Sequence, residues 1–580
     1  MKFTRSASIG TAIIALSLAS HAAQAVVKRV RLAPGGAEPN DFAWDLDYPH
    51  RTLSADGRFC AVASFASNLV AGDTNGRRDI FVHDRLLHVT RLVSVSTSGV
   101  QGDRDSQTPS ISDDGNLVAF FSASTNLVSG PAGQFGGIFV RDVAAGTTTR
   151  ENFGPGGVDP NVVCTYHSLS GDGQRLLFLS QASNLAPNDT QGFKDVFVRD
   201  RVSGAVSCVS VNLSGQPGNG PSETATISRN GQFVVFQSFA NDLVAGDTND
   251  RDDIFVRDLA SGVTELITHD VTIPWWVSVG TGVASDDGRF IAFSSSASSL
   301  VLGDWNGMHD VFLRDRQLGL TTLVSATSSG LSANGPSSYP IISPDGSVVV
   351  FQSKASNLTL NDANGQMDIF LWERVSGVTS LVSASPDGVS GTGTSSKADL
   401  SANGRTIVFK STAVDLVGGT AGIYEQEFVS EVGALSLVYC SAGTSSNGCV
   451  PSIGHSGAPS ATAASSFQIR VSGTEGLRAG MIFYSVDNGS LGSVPWGATS
   501  SNFCVKLPVQ RTPVHSAGGS TGACNGQLQL DWNAFVVANS GAIGAPFNAG
   551  TTIHAQGWYR DPANAKTSSL SDALAIEMNP

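Results

Sequence analysis

Aspartate and asparagine residues recur with the same spacing in five short loops of this chain of 580 residues. Each loop reads Asp-x-Asn/Gln-Gly/Asp-x-x-Asp, with oxygen-bearing side chains around a sharp turn. These side chains are Asp73, Asn75 and Asp79; Asp189, Gln191 and Asp195; Asp247, Asn249 and Asp253; Asp304, Asn306 and Asp310; and Asp362, Asn364 and Asp368. Ca²⁺ takes about six to eight oxygen ligands. The pattern therefore predicts Ca²⁺ as a cofactor, with water or a neighbouring part of the chain completing its shell.

The same loops have a second interpretation that needs no metal. Asp and Asn side chains accept hydrogen bonds from nearby backbone N–H groups and so stabilise turns. The motif is also shorter than an EF-hand loop and lacks the Glu that ends one. The sequence leaves both interpretations open.

A longer repeat contains these loops. A Ser-x-Asp/Asn-Gly signature begins at seven positions spaced by 57 or 58 residues, namely Ser54, Ser112, Ser170, Ser228, Ser285, Ser343 and Ser401. Asp-Gly and Asn-Gly favour tight hairpin turns. Within each repeat, the turn is followed by a β-branched or aromatic run such as 233–236, the polar loop, a run such as 253–256, a second turn and a fourth run. Four short antiparallel strands in each repeat predict the blades of a β-propeller.

The chain is thus predicted to be all-β, a seven-bladed β-propeller at residues 26–430 followed by a small β-domain at 431–580. The seventh repeat lacks an obvious fourth strand. We expect Val27 to Val30 to supply it and so close the ring; residues 433–438 are the competing candidate. The pattern S-x-D-G-x-x-V-x-F … D-I-F-V-x-D … G-x-T resembles the TolB-like, WD-type propeller repeat over about residues 26–430. That resemblance implies a binding platform, or one part of a hydrolase or lyase.

Candidate ligand-binding residues lie where the innermost strands begin. Corresponding positions there are varied and polar in the seven repeats, unlike positions that only build the fold. We select His50, Arg51, Tyr166, His167, Tyr339 and Lys397 at the predicted channel mouth, and Trp275 and Trp276 in a connection between blades. Exposed aromatic rings beside carboxylates suit a sugar or peptide ligand. Packing of the two tryptophans on a neighbouring blade is an equally good explanation.

No motif in the sequence indicates catalysis. The chain has no Gly-x-Ser-x-Gly elbow, no Cys-x-x-Cys pair and no zinc-type histidine spacing, so we predict no catalytic residue. The resulting hypothesis is a non-enzymatic binding platform for protein or carbohydrate on the loop face. Two alternatives remain. One is a hydrolase or lyase acting on polysaccharide or peptide at the channel mouth, with acids or His167 as catalysts, and the other is a structural component of the cell envelope.

Charge and targeting signals narrow the location and the partners. A net charge of −14 disfavours nucleic acid as a partner. Lys2 and Arg5, an apolar run at 9–19 and Ala-Gln-Ala at 23–25 predict a signal peptide cleaved after Ala25. We expect a secreted or periplasmic monomer with no membrane span.

The last 150 residues leave the repeat and contain four of the seven cysteines. Runs at 467–471, 481–485, 527–530 and 553–558 predict a small β-sandwich. This part also resembles β-domains appended to large secreted bacterial proteins. We expect the local disulfides Cys440–Cys449 and Cys504–Cys524, although four cysteines allow three connectivities.

Overall fold

The computed structural model describes residues 26–577 except for a set of gaps. The gaps are 31, 35–38, 42–50, 130–134, 187–188, 190–191, 269–278, 375, 418–425, 432–435, 440–448, 450, 457–467, 475, 487–493, 496–501, 504–509, 518–519, 521–522, 540–551 and 561–567. The expected signal peptide lies outside the described residues.

Seven antiparallel sheets follow one another along the chain and form the blades of a propeller. The innermost strands of blades two to seven are Ser106–Ile111, Cys164–Leu169, Ser222–Ile227, Val279–Ala284, Ser337–Ile342 and Ser395–Leu400. In blade one, the described part of the innermost segment is a single bridge between Leu53 and Cys60. Consecutive innermost strands contact one another, so they surround a common axis.

The other strands complete the blades from the axis outwards. The second strands are Phe59–Ser64, Leu117–Ser122, Arg175–Ser180, Phe233–Ser238, Phe290–Ser295, Val348–Ser353 and Thr406–Ser411. The third strands are Asp79–Asp84, Gly137–Asp142, Asp195–Asp200, Asp253–Asp258, Asp310–Asp315, Asp368–Glu373 and Gln426–Glu431. The outermost strands are Val89–Leu92, Thr147–Arg150, Val206–Cys208, Val263–Leu266, Leu320–Leu323, Thr379–Leu381 and Val26–Arg29.

The Ser-x-Asp/Asn-Gly signature forms the hairpin between the first two strands of each blade. In blade one, Ser54 donates to Asp56 at 2.6 Å, and the backbone N–H groups of Arg58 and Phe59 donate to the Asp56 carboxylate and the Ser54 hydroxyl. Gly57 has a φ of 75°, which a residue with a side chain rarely adopts. The signature therefore encodes the turn through its own side chains, as the sequence predicts.

Each blade is held together by buried apolar side chains on its second and third strands. In blades two to seven, one phenylalanine from each of these strands forms a stacked pair with ring centroids 5.6–5.9 Å apart. Blade one has Val62 opposite Phe81 instead. Such cross-strand pairs fix the register of the sheet.

The N-terminal strand closes the ring, as expected. Val26–Arg29 pairs antiparallel with Gln426–Glu431 and completes blade seven. The competing segment does not do so, because Ser436–Tyr439 pairs with Ser568–Glu577 in the C-terminal region. Closure removes a strand edge that would otherwise remain exposed.

The C-terminal region contains two sheets and one helix. Strands of the larger sheet are Ser436–Tyr439, Ser568–Glu577, Thr552–Arg560, Ala479–Val486, Gln510–Arg511 and His515–Ser516. The smaller sheet contains Ser452–Ser456, Gln468–Thr474 and Gly526–Asp531, and Val494–Pro495 pairs with Asn502–Phe503 separately.

Buried side chains of both C-terminal sheets form one core, as expected of a β-sandwich. The helix Trp532–Ala538 is an element that the sequence analysis did not anticipate, and Asp531 caps its N-terminus by accepting from the N–H of Ala534 at 2.9 Å. Trp532 of this helix packs edge-on against Tyr484.

The disulfide pairing differs from the prediction. Cys449 is bonded to Cys524, a link across 75 residues, so neither of the two expected local pairs can form. The strand Gly526–Asp531 pairs with Gln468–Thr474, which in turn pairs with Ser452–Ser456, and this brings the segments flanking the two cysteines together. Cys440 and Cys504 lie outside the described residues.

No helix in the described ranges has the length and apolar character needed to cross a bilayer.

Replacing both Cys449 and Cys524 by Ser is expected to lower the free energy of unfolding of the C-terminal region by about 2–5 kcal/mol, because the link restricts a long loop in the unfolded state. Thermal melts and peptide mapping under non-reducing conditions measure this. The free thiol of Cys208 provides the control C208S, which should change the melt much less. A Cys440–Cys449 peptide in the map would contradict the connectivity.

Candidate functional site

The blades have two chemically different ends. The signature turns join the first and second strands at one end, which we call the hairpin face. The Asp-x-Asn-Gly loops join the second and third strands at the opposite end, which we call the loop face. Each innermost strand therefore begins at the loop face and ends at the hairpin face.

Backbone hydrogen bonds link the blades around the axis at the hairpin face. They involve the residue after each signature serine, namely Ala55, Asp113, Gly171, Arg229, Asp286, Pro344 and Ala402. Five N–H groups donate to the carbonyl of the equivalent residue in the next blade, those of Ala55, Asp113, Gly171, Asp286 and Ala402. Pro344 has no N–H to donate. Between blades four and five, Asn230 donates to Asp286 instead.

Two arginines cross the axis just inside this ring. Arg51 of blade one donates to the carbonyl of Leu169 in blade three at 2.7 Å and to that of Ile227 in blade four at 3.4 Å. Arg229 of blade four donates to the Asp113 carboxylate in blade two at 2.5 Å and to the carbonyl of Leu400 in blade seven at 3.2 Å. The two guanidinium groups thus span the channel in different directions and bring positive charge to its centre.

Two carboxylates at this end have different environments. Asp399 accepts from the N–H groups of Thr52 and Leu53 at 2.6 and 2.8 Å, and its other oxygen accepts from its neighbour Leu400 at 2.7 Å. Its oxygens are therefore engaged in joining blade seven to blade one.

Asp286 is half-buried, and one of its oxygens accepts from the N–H of Asn230 at 2.9 Å. Burial raises the pKa of Asp286, while the hydrogen bond from Asn230 and the charges of Arg51 and Arg229 act in the opposite direction. Burial raises the pKa of Asp399 as well, so Asp286 differs from it mainly in accepting fewer backbone hydrogen bonds.

These groups line a small cavity on the axis. Its volume is about 70 Å³, and its polar wall includes Arg51, Arg229, Asp286, Asp399 and Thr226. Burial and the nearby Arg229 lower the pKa of Arg51 to about 10, so the side chain stays cationic at neutral pH. The cavity volume is the space open to the centres of water-sized spheres, and about 10–15 Å³ of it is enough for one water molecule. The cavity therefore has room for a few water molecules or for a small group such as a carboxylate.

Among the predicted ligand residues that the structure describes, only Arg51 lines this cavity. Tyr166, Tyr339 and Lys397 lie in innermost strands towards the loop face, where each has a positive φ of 44–55° at a break in strand register. His167 is buried and is not part of the cavity wall. His50, Trp275 and Trp276 lie outside the described residues.

Arg229, Asp286 and Asp399 were not predicted from the sequence. Variation between repeats like that at the channel mouth also occurs at the position after each signature serine. That position reads Ala, Asp, Gly, Arg, Asp, Pro and Ala in the seven repeats, which is more varied than the turn itself requires. The same signal was therefore available for Arg229 and Asp286, but not for Asp399, which precedes the turn in the strand Ser395–Leu400.

In the loop motifs, the second aspartate serves as a structural anchor. One oxygen of Asp79, Asp195, Asp253, Asp310 and Asp368 accepts from a Ser or Thr hydroxyl 15 residues later. The Asn of the motif donates to the other oxygen in Asp79, Asp253, Asp310 and Asp368 at 2.7–2.9 Å. The Asn oxygen accepts from a backbone N–H two residues on. Turn stabilisation is thus part of the role of these loops.

In four of the five loops, no described residue gives the first aspartate of the motif a comparable partner. Asp189, Asp247, Asp304 and Asp362 are each at most 7 % exposed, and no described residue donates a hydrogen bond of normal geometry to their carboxylate oxygens. Burial raises the pKa of all four, to about 6 for Asp247. Gln191 lies outside the described residues. In the described ranges, no three His, Cys, Asp or Glu side chains converge as a metal cluster.

Comparison with known proteins gives the fold. No family model and no curated protein sequence matches the chain. The solved structures similar to it include an oligogalacturonate lyase from Vibrio parahaemolyticus, with 12 % identity, a TM-score of 0.43 and coverage of 70 % of this chain and 93 % of the lyase. A putative TolB from Agrobacterium tumefaciens has 17 % identity, a TM-score of 0.31 and coverage of 50 % and 83 %. The resemblance to TolB-like propellers expected from the sequence is thus found again, as a likeness of fold.

A third similar structure is a prolyl endopeptidase, with 10 % identity, a TM-score of 0.40 and coverage of 75 % of this chain and 56 % of the endopeptidase. The lyase and the endopeptidase are enzymes by name, and nothing found supports a binding role without catalysis. The expectation of a non-enzymatic binding platform is therefore corrected. At these identities and TM-scores, no residue's role is transferred from those enzymes to this chain.

Replacing Arg51 by Ala is expected to lower the free energy of unfolding by about 2–5 kcal/mol, because two buried carbonyls lose a charged donor. Urea titration of the full chain measures this. Arg405 is exposed in a hairpin turn and provides the control R405A, expected to stay within about 0.5 kcal/mol of the wild type. Equal effects of the two substitutions would show that the axial arginine is not structurally important.

The loop aspartates predict a pH dependence that can be measured in a metal chelator. Burial raises the pKa of Asp195 from 3.8 to about 7, so the native state holds this proton more tightly than the unfolded state. Its stabilising contribution is complete below about pH 4 and is lost as the pH rises through 7. D195N cannot titrate. The free energy of unfolding of the wild type relative to D195N should fall by about 2 kcal/mol between pH 5 and 7, and a constant difference would contradict the assignment.

Proposed function

We propose that this protein is an enzyme that cleaves an acidic polysaccharide, with its active site in the axial cavity of the hairpin face. The observation that carries the proposal is the meeting of Arg51, Arg229 and two carboxylates in one axial cavity of about 70 Å³. Of the two carboxylates, Asp286 accepts fewer backbone hydrogen bonds than Asp399. A sugar carboxylate would pair there with the two guanidinium groups. The rest of the polysaccharide would lie across the hairpin face.

The chemistry that suits this arrangement is β-elimination. Arg51 and Arg229 would pair with the carboxylate of a uronic acid residue and so acidify the C–H bond beside it. Asp286 would take that proton, the electron pair would form a C=C bond, and the C–O bond to the neighbouring sugar would break. The departing oxygen would regain a proton from Asp286 or from water. General-base catalysis of this kind is worth about 10²–10⁴ in rate.

Hydrolysis is less well supported by the described residues. A glycosidase uses two carboxylic groups on opposite sides of the scissile bond. Asp399 is already engaged by three backbone N–H groups, and Asp113 is bonded to Arg229. One available carboxylate between two arginines favours elimination.

A location outside the cytoplasm is part of this proposal. The Cys449–Cys524 disulfide is compatible with an oxidising compartment, and extracellular polysaccharide is encountered there. Cleavage of the leader after Ala25 would release a chain that begins with the strand Val26–Arg29. All the groups in the proposed site come from one chain, so a monomer would suffice.

The test is incubation of the full mature chain with polygalacturonate, alginate and hyaluronan, and with neutral glucans and peptides for comparison. Elimination yields an unsaturated sugar that absorbs ultraviolet light, and we expect D286N to reduce its formation by about 10²-fold or more. The matched control is D287N in the same turn, because blades four and seven already carry Asn230 and Asn403 at that position.

The control should retain activity, and both variants should melt like the wild type. Product formation by D286N at the wild-type rate would overturn the assignment of Asp286. No unsaturated product from any acidic polysaccharide would overturn the proposed reaction.

A further inference from the structure

We propose that the loops of blades five and six each bind a Ca²⁺ ion through Asp304 and Asp362, and that the amide of Gln101 takes the place of this cation in blade one. The sequence pattern alone puts a site in all five loops. The contacts of the described residues divide those loops into two kinds, and this division is independent of the catalytic proposal.

The first observation is that blades five and six each contain a buried carboxylate whose charge is not balanced by described residues. Asp304 is 5 % exposed and Asp362 is 3 % exposed, and neither accepts a hydrogen bond of normal geometry from any described residue. The polar groups close to these carboxylates include the N–H two residues on in each loop and, for Asp362, the Ser390 hydroxyl. Burying a carboxylate without a cation or full hydrogen bonding is costly.

The second observation is what happens in blade one. There Gln101 donates from one nitrogen atom to both motif carboxylates, to Asp73 at 2.8 Å and to Asp79 at 3.0 Å. A group with partial positive charge therefore fits between the two aspartates. In blade one, a side chain of the protein itself therefore supplies the hydrogen-bond donor that both aspartates need.

The register of the repeats explains why blades five and six differ. Gln101 forms a bridge with Val95, and the equivalent bridges are Ala326 with Ser332 and Ala384 with Ser390. Serine is too short to reach both carboxylates. The Ser332 hydroxyl instead accepts from the N–H of Trp305 at 3.0 Å. The space that the glutamine amide fills in blade one is thus left for another positive group.

A divalent cation matches this space in charge and in ligand type. Asp304 and Asp310 occupy the motif positions of Asp73 and Asp79, which a single amide nitrogen contacts in blade one, and together they carry two negative charges. Asn306 stabilises the loop rather than binding the cation, because its oxygen accepts from the N–H of Met308 and its nitrogen donates to Asp310 and Ala333. Main-chain carbonyls and water would complete the shell. Sites with few protein ligands bind Ca²⁺ with Kd values of about 10⁻⁴–10⁻³ M in extracellular modules.

Asp189 and Asp247 have the same buried carboxylates in blades three and four. Part of the surroundings of each lies outside the described residues, at 187–188 and 190–191 and at 269–278. We therefore rest the inference on blades five and six, where the whole loop is described.

The experiment counts the Ca²⁺ ions bound to the chelator-treated full chain by equilibrium dialysis at millimolar Ca²⁺, with Ca²⁺ alone as the probe. S332Q places a glutamine in blade five at the position that Gln101 has in blade one, and this variant should bind one ion fewer than the wild type. Q101S removes that glutamine from blade one and should bind one ion more. S329Q, at an exposed serine of the same hairpin, is the matched control and should bind the wild-type number.

Thermal melts provide a second readout that does not involve activity. S332Q should melt higher than the wild type in chelator and should gain less from added Ca²⁺, because its amide already occupies the site. The absence of any bound Ca²⁺ in the wild type would overturn the proposal, as would equal counts for the wild type, S332Q and Q101S. If S332Q does not fold, the gain or absence of one ion in Q101S decides the matter. Loss of polysaccharide cleavage affects neither count.

Discussion

Closure of the ring is the constraint on which the rest of this structure depends. Seven similar blades can meet around an axis only if the last is joined to the first. The chain does this in three ways: the strand Val26–Arg29 completes blade seven, Asp399 accepts from the backbone of blade one, and Arg85 pairs with Glu431 across the same junction. Once the ring is closed, residues far apart in sequence meet on the axis.

The axial cluster is a direct product of that closure. Arg51 reaches a carbonyl 118 residues away and Arg229 one 171 residues away, both across the channel. Each guanidinium is held by groups from more than one blade, so its position is fixed by the whole ring rather than by its own repeat. A rigid setting of this kind is what a site needs to hold charged groups in a fixed geometry.

The architecture can be predicted from the sequence because the same blade pattern occurs seven times. The signature serine and aspartate form hydrogen bonds within their own turn, and such local interactions can be predicted without a structure. The axial cavity cannot be predicted from the sequence in the same way. Arg51 was selected, but Arg229 and Asp286 occupy the variable position of an otherwise regular turn, and only the curvature of the ring shows that they meet. The predicted disulfide pairs were wrong for a related reason, because Cys449 and Cys524 precede the two edge strands of one sheet and lie 75 residues apart in the sequence. The two aspartates of the loop motif have different surroundings. The residues that make them differ lie in other strands and turns, so the sequence motif alone could not distinguish the two aspartates.

The N-terminal closing strand also determines when the protein can fold. Its partner ends at Glu431, so about three quarters of the chain must be synthesised before the first strand has anywhere to pair. Until then the propeller is an open arc with an unpaired strand at one end, the kind of edge that invites association with other chains. The pairing joins residues some 400 positions apart, and contacts of such long range form slowly. Biogenesis of this chain therefore calls for a means of keeping the arc apart from its neighbours until the final blade emerges.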